Sequence, residues 1–351
     1  MIDSVKPKSQ LAGISPEEVN EINIKKIEVD LDKVRKSHAD LIEARKANEA
    51  HKKFTPDFNV GELAAQIASE NDQYFANVKK SPPFILVAFK EIVPLVPKSI
   101  TLICAYTGNG KTTIAANIAL AMIKDKKRVL CLSTEEVRMD VYNRLICLDK
   151  GWSYSNHASI SAEQIQTFNE ETPKLMNQYD VIDNRSFNGL AKPTTSLEGV
   201  KCILESLKNK NEKYDAIVID YYQNISTSVE QKNLKEHEVQ YRLVEFLDKF
   251  KNEYPAPIII FAQSRPNYKN EMAPIKDRIS GRKTICDVSA TILEVMADHE
   301  KYETAWKIHK SRFAAVTGKT VKTGWDKGKY VVIDDAFKVK QAQLIAENKK
   351  D

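Results

Sequence analysis

Ten consecutive residues, Cys104-Ala105-Tyr106-Thr107-Gly108-Asn109-Gly110-Lys111-Thr112-Thr113, hold the side chains of this chain best suited to chemistry. An apolar run, 100–103, precedes them and an alanine- and isoleucine-rich run, 114–123, follows. That order predicts strand, glycine-containing loop and helix. Gly108 and Gly110 let the backbone turn tightly, so that the N–H groups of Thr107, Gly108, Asn109 and Gly110 converge on phosphate oxygens. A helix opening at Lys111 adds the positive end of its dipole. The Lys111 ammonium is placed for the β- and γ-phosphates, the Thr112 hydroxyl for Mg²⁺, and Thr113 belongs to the same phosphate-binding turn. The pattern G-x-x-x-x-G-K-[ST] opens here with Ala105 where glycine is usual, a variant of the phosphate-binding loop. The chemistry implied is binding of a nucleoside triphosphate.

Hydrolysis needs more than a cradle: a second carboxylate at the metal, a group that orients or deprotonates water, and a cation for the transition state. Tyr214-Asp215-Ala216-Ile217-Val218-Ile219-Asp220 is an apolar strand ending in a carboxylate, and Asp220 is the candidate second Mg²⁺ group. A strand at 128–133 runs into Thr134-Glu135-Glu136. Glu135 is positioned to polarise water, or Glu135 and Glu136 cap the helix that follows. A third strand, 257–262, ends in Gln263, either a sensor of the γ-phosphate or a solvated loop residue.

These groups need a scaffold that brings strand ends together. From Phe84 onward, short apolar runs alternate with helical ones, which predicts a mostly parallel sheet flanked by helices. The strands are expected at 99–104, 128–133, 215–220, 257–262, 291–296 and 304–309, and the helices at 111–124, 137–149, 161–178, 195–209 and 236–253. The end of this region reads as hairpins, with Gly318, Gly324 and Gly328 as turns and 330–333 as a last strand. Residues 1–80 form a separate, small helical segment. Ser15-Pro16-Glu17-Glu18 is a helix start, Ile24, Ile27, Leu31, Val34, His38 and Leu41 make one apolar stripe, and a second helix is expected at 60–78. The stripe holds for only about two and a half heptads, so docking on a neighbouring domain is favoured over a coiled coil. Ser81-Pro82-Pro83 is a stiff linker, 84–335 the main domain, and 336–351 a charged tail.

Of the 351 residues 29% are charged and 42% apolar, with a net charge of +5, the balance of a globular protein that permits contact with nucleic acid without requiring it. Five dispersed cysteines without metal spacing predict reduced, buried thiols and a cytoplasmic location. The polar start of the chain carries no apolar leader, and no window is long enough to span a bilayer.

The order of motifs resembles the RecA-type ATPase domain of replicative hexameric DNA helicases, the DnaB-like family, from Phe84 to Ile333. Ser133-Thr134-Glu135-Glu136 stands at the family's Ser-Leu-Glu-Met position, which implies Glu135 as the catalytic glutamate, and Arg144 falls where the family also carries an arginine. Ile219-Asp220-Tyr221-Tyr222-Gln223 is similar to its Ile-Asp-Tyr-Leu-Gln, and Ala262-Gln263-Ser264-Arg265 to its Ser-Gln-Leu-Asn, with Gln263 as sensor. Asp277-Arg278-Ile279-Ser280-Gly281 matches the Asp-Leu-Arg-Glu-Ser-Gly stretch loosely. Ile308-His309-Lys310-Ser311-Arg312 with Thr317-Gly318 resembles the Lys-x-Arg and glycine turn, which implies that Lys310 and Arg312 reach the nucleotide of an adjacent subunit. The resemblance implies ATP as substrate, a homo-oligomer, a hexamer by family, with sites between subunits, 5′→3′ movement on single-stranded or forked DNA, and a primase or loader as partner. A strand-exchange or mediator filament and a DNA-independent switch or loader are the alternatives. Loops after Asp220 and Gln263 then face DNA, and their candidate contacts are Asn224, Lys232 and Lys235 in the first and Arg265, Asn267, Lys269 and Lys276 in the second, with Tyr268 available to stack a base.

Overall fold

The computed structural model describes residues 67–69, 93–154, 160–185, 193–228, 233–265, 273–281 and 283–348. The chain divides into two compact units, 1–69 and 70–351. Of the first unit only 67–69 are described, and they are helical. The helices expected at the start of the chain and the Ser81-Pro82-Pro83 linker otherwise lie outside the described residues, as do Lys232, Asn267, Tyr268 and Lys269.

The second unit is built on a nine-stranded sheet. In chain order its elements are β1 (Ile100–Ala105), α1 (Lys111–Lys124), β2 (Val129–Ser133), α2 (Arg138–Lys150), α3 (Ala162–Leu175), β3 (Tyr179–Ile182), α4 (Leu197–Asn209), β4 (Ala216–Asp220), α5 (Glu236–Glu253), β5 (Ile258–Gln263), the one-turn helices α6 (Ile275–Arg278) and α7 (Ile285–Val288), β6 (Thr291–Asp298), β7 (Glu303–Ser311), β8 (Thr320–Asp326), β9 (Lys329–Val331) and α8 (Asp335–Asn348). Across the sheet the order is β3-β2-β4-β5-β1-β6-β7-β8-β9. Pairing is parallel from β3 to β6 and antiparallel from β6 to β9.

The apolar runs become central strands because both faces are covered. Along β1, Ile103 and Ala105 pack with Ile114, Ile118 and Met122 of α1 and Val141 and Leu145 of α2. The alternate residues Ile100, Leu102 and Cys104 face the other way, toward Val200 and Leu204 of α4 and Leu243 and Leu247 of α5. β4 and β5 divide their residues between the same two cores. Helix starts follow local chemistry: α3 opens with a capping box in which the Ser161 hydroxyl accepts from the Gln164 N–H and the Gln164 side chain accepts from Ser161 N–H.

The expected strands and helices are present, with four differences. Tyr179–Ile182, which lies between the helices expected at 161–178 and 195–209, is the edge strand β3, short and buried on one face only, and the helix before it ends at Leu175. The terminal strand stops at Val331 rather than 333, and Val332 is exposed. Cys202 is exposed on α4, whereas Cys104, Cys131, Cys147 and Cys286 are buried, and all five are free. Gly324 is not a turn. Gly318 and Gly328 have φ of 89° and 84° and do turn the chain, but Gly324 lies inside β8, opposite Glu303 and Val331. Its missing side chain leaves room for the buried Phe337 ring of α8. Among the described residues no helix is long and apolar enough to cross a membrane.

A methyl group at 324 overlaps the Phe337 ring. Gly324→Ala is therefore expected to lose about 1–3 kcal/mol in a denaturant melt. Adding Phe337→Ala should recover part of that loss relative to the sum of the two single substitutions.

Candidate active site

The first position of the phosphate-binding pattern sits within β1, where Ala105 pairs with Gln263 on β5 and Val295 on β6. A side chain is ordinary there, which is why alanine replaces glycine without penalty. The backbone departs from the strand at Tyr106 and closes through the Asn109 N–H, which donates to the Tyr106 carbonyl at 3.1 Å. Gly108 and Gly110 have φ of 84° and 73°, the left-handed region that glycine adopts freely. Gly110 then caps α1 with no side chain bonded to the first turn and no acidic residue within it. The first-turn N–H groups of Lys111, Thr112 and Thr113 are left for an anion.

Asp220 ends β4 level with Ser133 on β2. It is 7% exposed, its Oδ1 has no hydrogen-bond partner among the described residues, and the Thr112 hydroxyl bonds to its carboxylate. Burial pushes its pKa up from 3.8 to about 6, with Glu136 and Glu135 adding to the rise while the Thr112 bond and Lys111 oppose it. A buried carboxylate oxygen without a donor, beside a hydroxyl and the phosphate loop, fits the oxygen-ligand chemistry of Mg²⁺. Burial also lowers the Lys111 pKa against the pull of Asp220 and Glu135, and its Nζ lies 5.4 Å from the centroid of the Tyr221 ring.

The two glutamates after β2 separate. Glu136 is engaged by Arg144 of α2, whose Nη2 and Nε donate to its carboxylate at 2.5 and 3.4 Å, and the Arg144 guanidinium lies 4.9 Å from the Tyr154 ring centroid. Glu135 is exposed and makes no hydrogen bond or ion pair with any described residue. Neither caps α2: that end is held by Asp183, just past β3, whose Oδ2 accepts from the Arg138 N–H at 2.7 Å. Thr134 ties the two strand ends together. Its N–H donates to the Asp220 carbonyl at 2.8 Å, and its Oγ1 accepts from the Tyr221 N–H at 2.9 Å across a cis Asp220–Tyr221 peptide.

Gln263 is not a solvated loop residue. Its Nε2 donates to the Thr107 hydroxyl at 2.7 Å, which joins the end of β5 to the phosphate loop. Gln223 holds it from behind: the Gln223 Oε1 accepts from Gln263 N–H at 3.0 Å, while its Nε2 donates to the carbonyls of Gln263 at 3.1 Å and Ser280 at 2.6 Å.

Lys310 and Arg312 lie elsewhere. Lys310 pairs with Ile292, which is level with Leu102, three residues before Ala105 on the neighbouring strand. At ~3.3 Å per residue Lys310 sits about 10 Å back along the strands from the end of β1, and Arg312, whose N–H donates to the Ala290 carbonyl at 3.0 Å, lies further back still. The Lys310 Nζ donates to the carbonyls of Cys286 and Asp287 at 2.9 and 3.1 Å, and Arg312 Nη2 to that of Asp287 at 3.3 Å. Of the candidate DNA contacts, Asn224 closes a 3₁₀ turn after Asp220 and Arg265 is exposed just past β5. Lys235 stands exposed before α5, and Lys276 is paired with Asp287 at 2.7 Å. Arg278, two residues from Lys276, turns inward onto Glu294.

A cavity of about 220 Å³ lies beside the loop. Gly108, Asn109 and Gly110 form one wall, and Tyr302, Trp325 and Tyr330 form another. The aromatic residues flanking the Gly328 turn were its available sequence signal.

The chain belongs to the family of DnaB-like helicase C-terminal domains, which residues 90–314 match. Among solved structures it is similar to a DnaB-like replicative helicase described with its interactions with primase, at TM-score 0.60 and 15% identity over 91% of this chain and 78% of that one. An ATPase domain solved separately aligns at TM-score 0.59 and 16% identity, over 79% of this chain and all of that one. The fold is RecA-like. No curated protein sequence matches the chain.

The Asp220 carboxyl ionises near pH 6 in the folded chain and near 3.8 as an ordinary aspartate, so the fold retains its proton more strongly than the unfolded chain. Its stabilising contribution is present at low pH and lost as pH rises through about 6. In the absence of nucleotide and metal, Asp220→Asn is expected to raise Tm at pH 8 and to change it little at pH 4, measured by calorimetry.

Proposed function

We propose that this chain is the ATP-driven motor of a ring-forming DNA helicase, moving along single-stranded DNA and unwinding forked duplex during replication. The observation that carries the proposal is the division of the machinery: Lys111, Thr112, Asp220, Glu135 and Gln263 gather at one edge of the sheet, while Lys310 and Arg312 are set back from it. Among the described residues no arginine or second lysine bonds to the phosphate loop, so in this reading a second copy completes it, and the proposed assembly is a hexamer with sites between subunits, in keeping with the family. The similar structure described with its interactions with primase supports a primase as partner, and a loader is the alternative partner.

In this reading the N–H groups of Thr107–Thr113 hold the ATP phosphates, and Lys111 moves from the Tyr221 ring to the γ-phosphate. Thr112 and Asp220 would hold Mg²⁺, which neutralises charge on the phosphates when bound. Glu135, free of other partners, takes the proton from the attacking water. Lys310 and Arg312 of the neighbouring subunit stabilise charge on the transferring phosphoryl group. The cavity beside Gly108–Gly110 seats the base against Tyr302, Trp325 and Tyr330. Gln263 bonds to the loop through Thr107 and continues into Arg265, so a change at the γ-phosphate moves the start of a DNA-facing segment. Asn224, Arg265, Lys235 and Lys276, with Lys232, Asn267 and Lys269, contact the DNA backbone, and Lys276 exchanges its exposed Asp287 pair for phosphate.

Steady-state ATPase activity with and without single-stranded DNA, together with oligomeric mass, tests the reading. Strong stimulation in a closed oligomer supports it. Activity indifferent to DNA points to a switch or loader, and open filaments without fork unwinding to strand exchange. Glu135→Gln is expected to bind ATP normally and lose about 10²–10⁴-fold in turnover, whereas normal turnover moves the base elsewhere. Lys111→Ala and Arg312→Ala subunits, each inactive alone, should regain activity on mixing, and absence of recovery rules out completion by the neighbour.

A further inference from the structure

One buried acid lies outside the machinery described so far. Glu294 on β6 is 5% exposed and level with Cys104 of β1. Arg278 grips both of its oxygens, with Nη2 at 2.7 Å from Oε2 and Nη1 closer still to Oε1, and the His309 Nε2 stands 2.7 Å from Oε2. Burial raises the Glu294 pKa, but the bonds from His309 and Arg278 prevail and hold it at about 2. An ion pair enclosed in this way is weak evidence of stability, because well-packed apolar residues often serve as well. What it does is join three chain segments.

Arg278 belongs to the stem of the segment that leaves Gln263. The stem is closed by Arg265 N–H to the Arg278 carbonyl at 2.7 Å, Ser280 N–H to the Gln263 carbonyl at 3.0 Å, and a bridge between Ser264 and Ile279. His309 sits where the β6–β7 ladder slips: Leu293 pairs with Ile308 and Ile292 with Lys310, so His309 is the extra residue of a bulge. Bulges re-aim side chains, and this one brings His309 to Glu294 immediately before Lys310. Lys310 and Arg312 are held in turn by the carbonyls of Cys286 and Asp287, at the far end of the segment that Arg278 anchors.

We infer that Arg278, Glu294 and His309 are positioning residues that set Lys310 and Arg312 by the state of Gln263, so that one subunit's nucleotide site governs the cations it offers to the next. The inference rests on the proposed completion of each site by a neighbouring copy. Arg278 and Glu294 transmit a shift of the stem to β6, and His309 passes it to β7, which carries Lys310 and leads directly into Arg312.

The test uses full-length Glu294→Gln in the subunit-mixing assay. A subunit with this change retains its own ATP site but presents Lys310 and Arg312 wrongly. Its kcat is expected to fall about tenfold with KM for ATP within about twofold. Mixing with Lys111→Ala subunits should restore turnover, as for Arg312→Ala. A second variant, Arg278→Met with Glu294→Met, keeps the packing without the charges and guards against loss of folding; it should match wild type in Tm and show the same complementation. Wild-type kcat in a folded variant, or no recovery while Arg312→Ala does recover, overturns the inference. Failure of Arg312→Ala itself to recover instead removes the proposed completion by a neighbour, and the inference falls with it.

Discussion

The register of the parallel strands at their carboxyl ends is the constraint on which this site depends. Ala105 is level with Gln263, and Ser133 with Asp220. Side chains alternate between faces, so a slip of one residue would turn Asp220 or Gln263 away and present an apolar neighbour in its place. Two separate cores prevent that slip, because each central strand buries alternate residues against α1 and α2 on one side and α4 and α5 on the other. Thr134 and Gln223 then fasten the ends themselves, one between β2 and β4, the other between the exits of β4 and β5. The hydrophobic pattern and the polar site are thus parts of one arrangement.

The acidic residues divide by how their lone pairs are satisfied. Glu136 is matched to Arg144, and Glu294 to Arg278 and His309. Asp220 is buried with an oxygen left open, and Glu135 stands uncommitted near Lys111. A buried charge short of donors is costly and persists where something else supplies the missing interaction. The contrast between these sets separates acids that hold the structure together from those available to a cation or to water.

The antiparallel half of the sheet extends the molecule beyond a nucleotide-binding core. Strands β6–β9 wall the cavity beside the phosphate loop, and β7 carries Lys310 and runs into Arg312. The family match runs through β6 and β7 and ends at residue 314, before β8 and β9. The bulge at His309 and the buried Glu294 are the features through which this part of the sheet gains a connection to the segment after Gln263.

By itself the sequence determined the central strands, the helices that cover them, and the phosphate loop. All rest on short-range patterns: alternation or continuity of apolar residues, caps, and glycines where the backbone turns. The strand Tyr179–Ile182 escaped notice because an edge strand buries one face and leaves a weak pattern over four residues. Gly324 reads as a turn until Phe337, thirteen residues later, is seen to fill its space. By residue type alone adjacent Glu135 and Glu136 are equivalent and only the family resemblance points to Glu135; Arg144 and Asp183, brought in from other elements, respectively engage Glu136 and remove the need for either glutamate as a cap. Arg278, close in sequence to Lys276 and Lys283, is turned by the fold onto Glu294. Tertiary structure decided these roles because each depends on which distant group satisfies a charge or fills a space, and local sequence does not encode that distance.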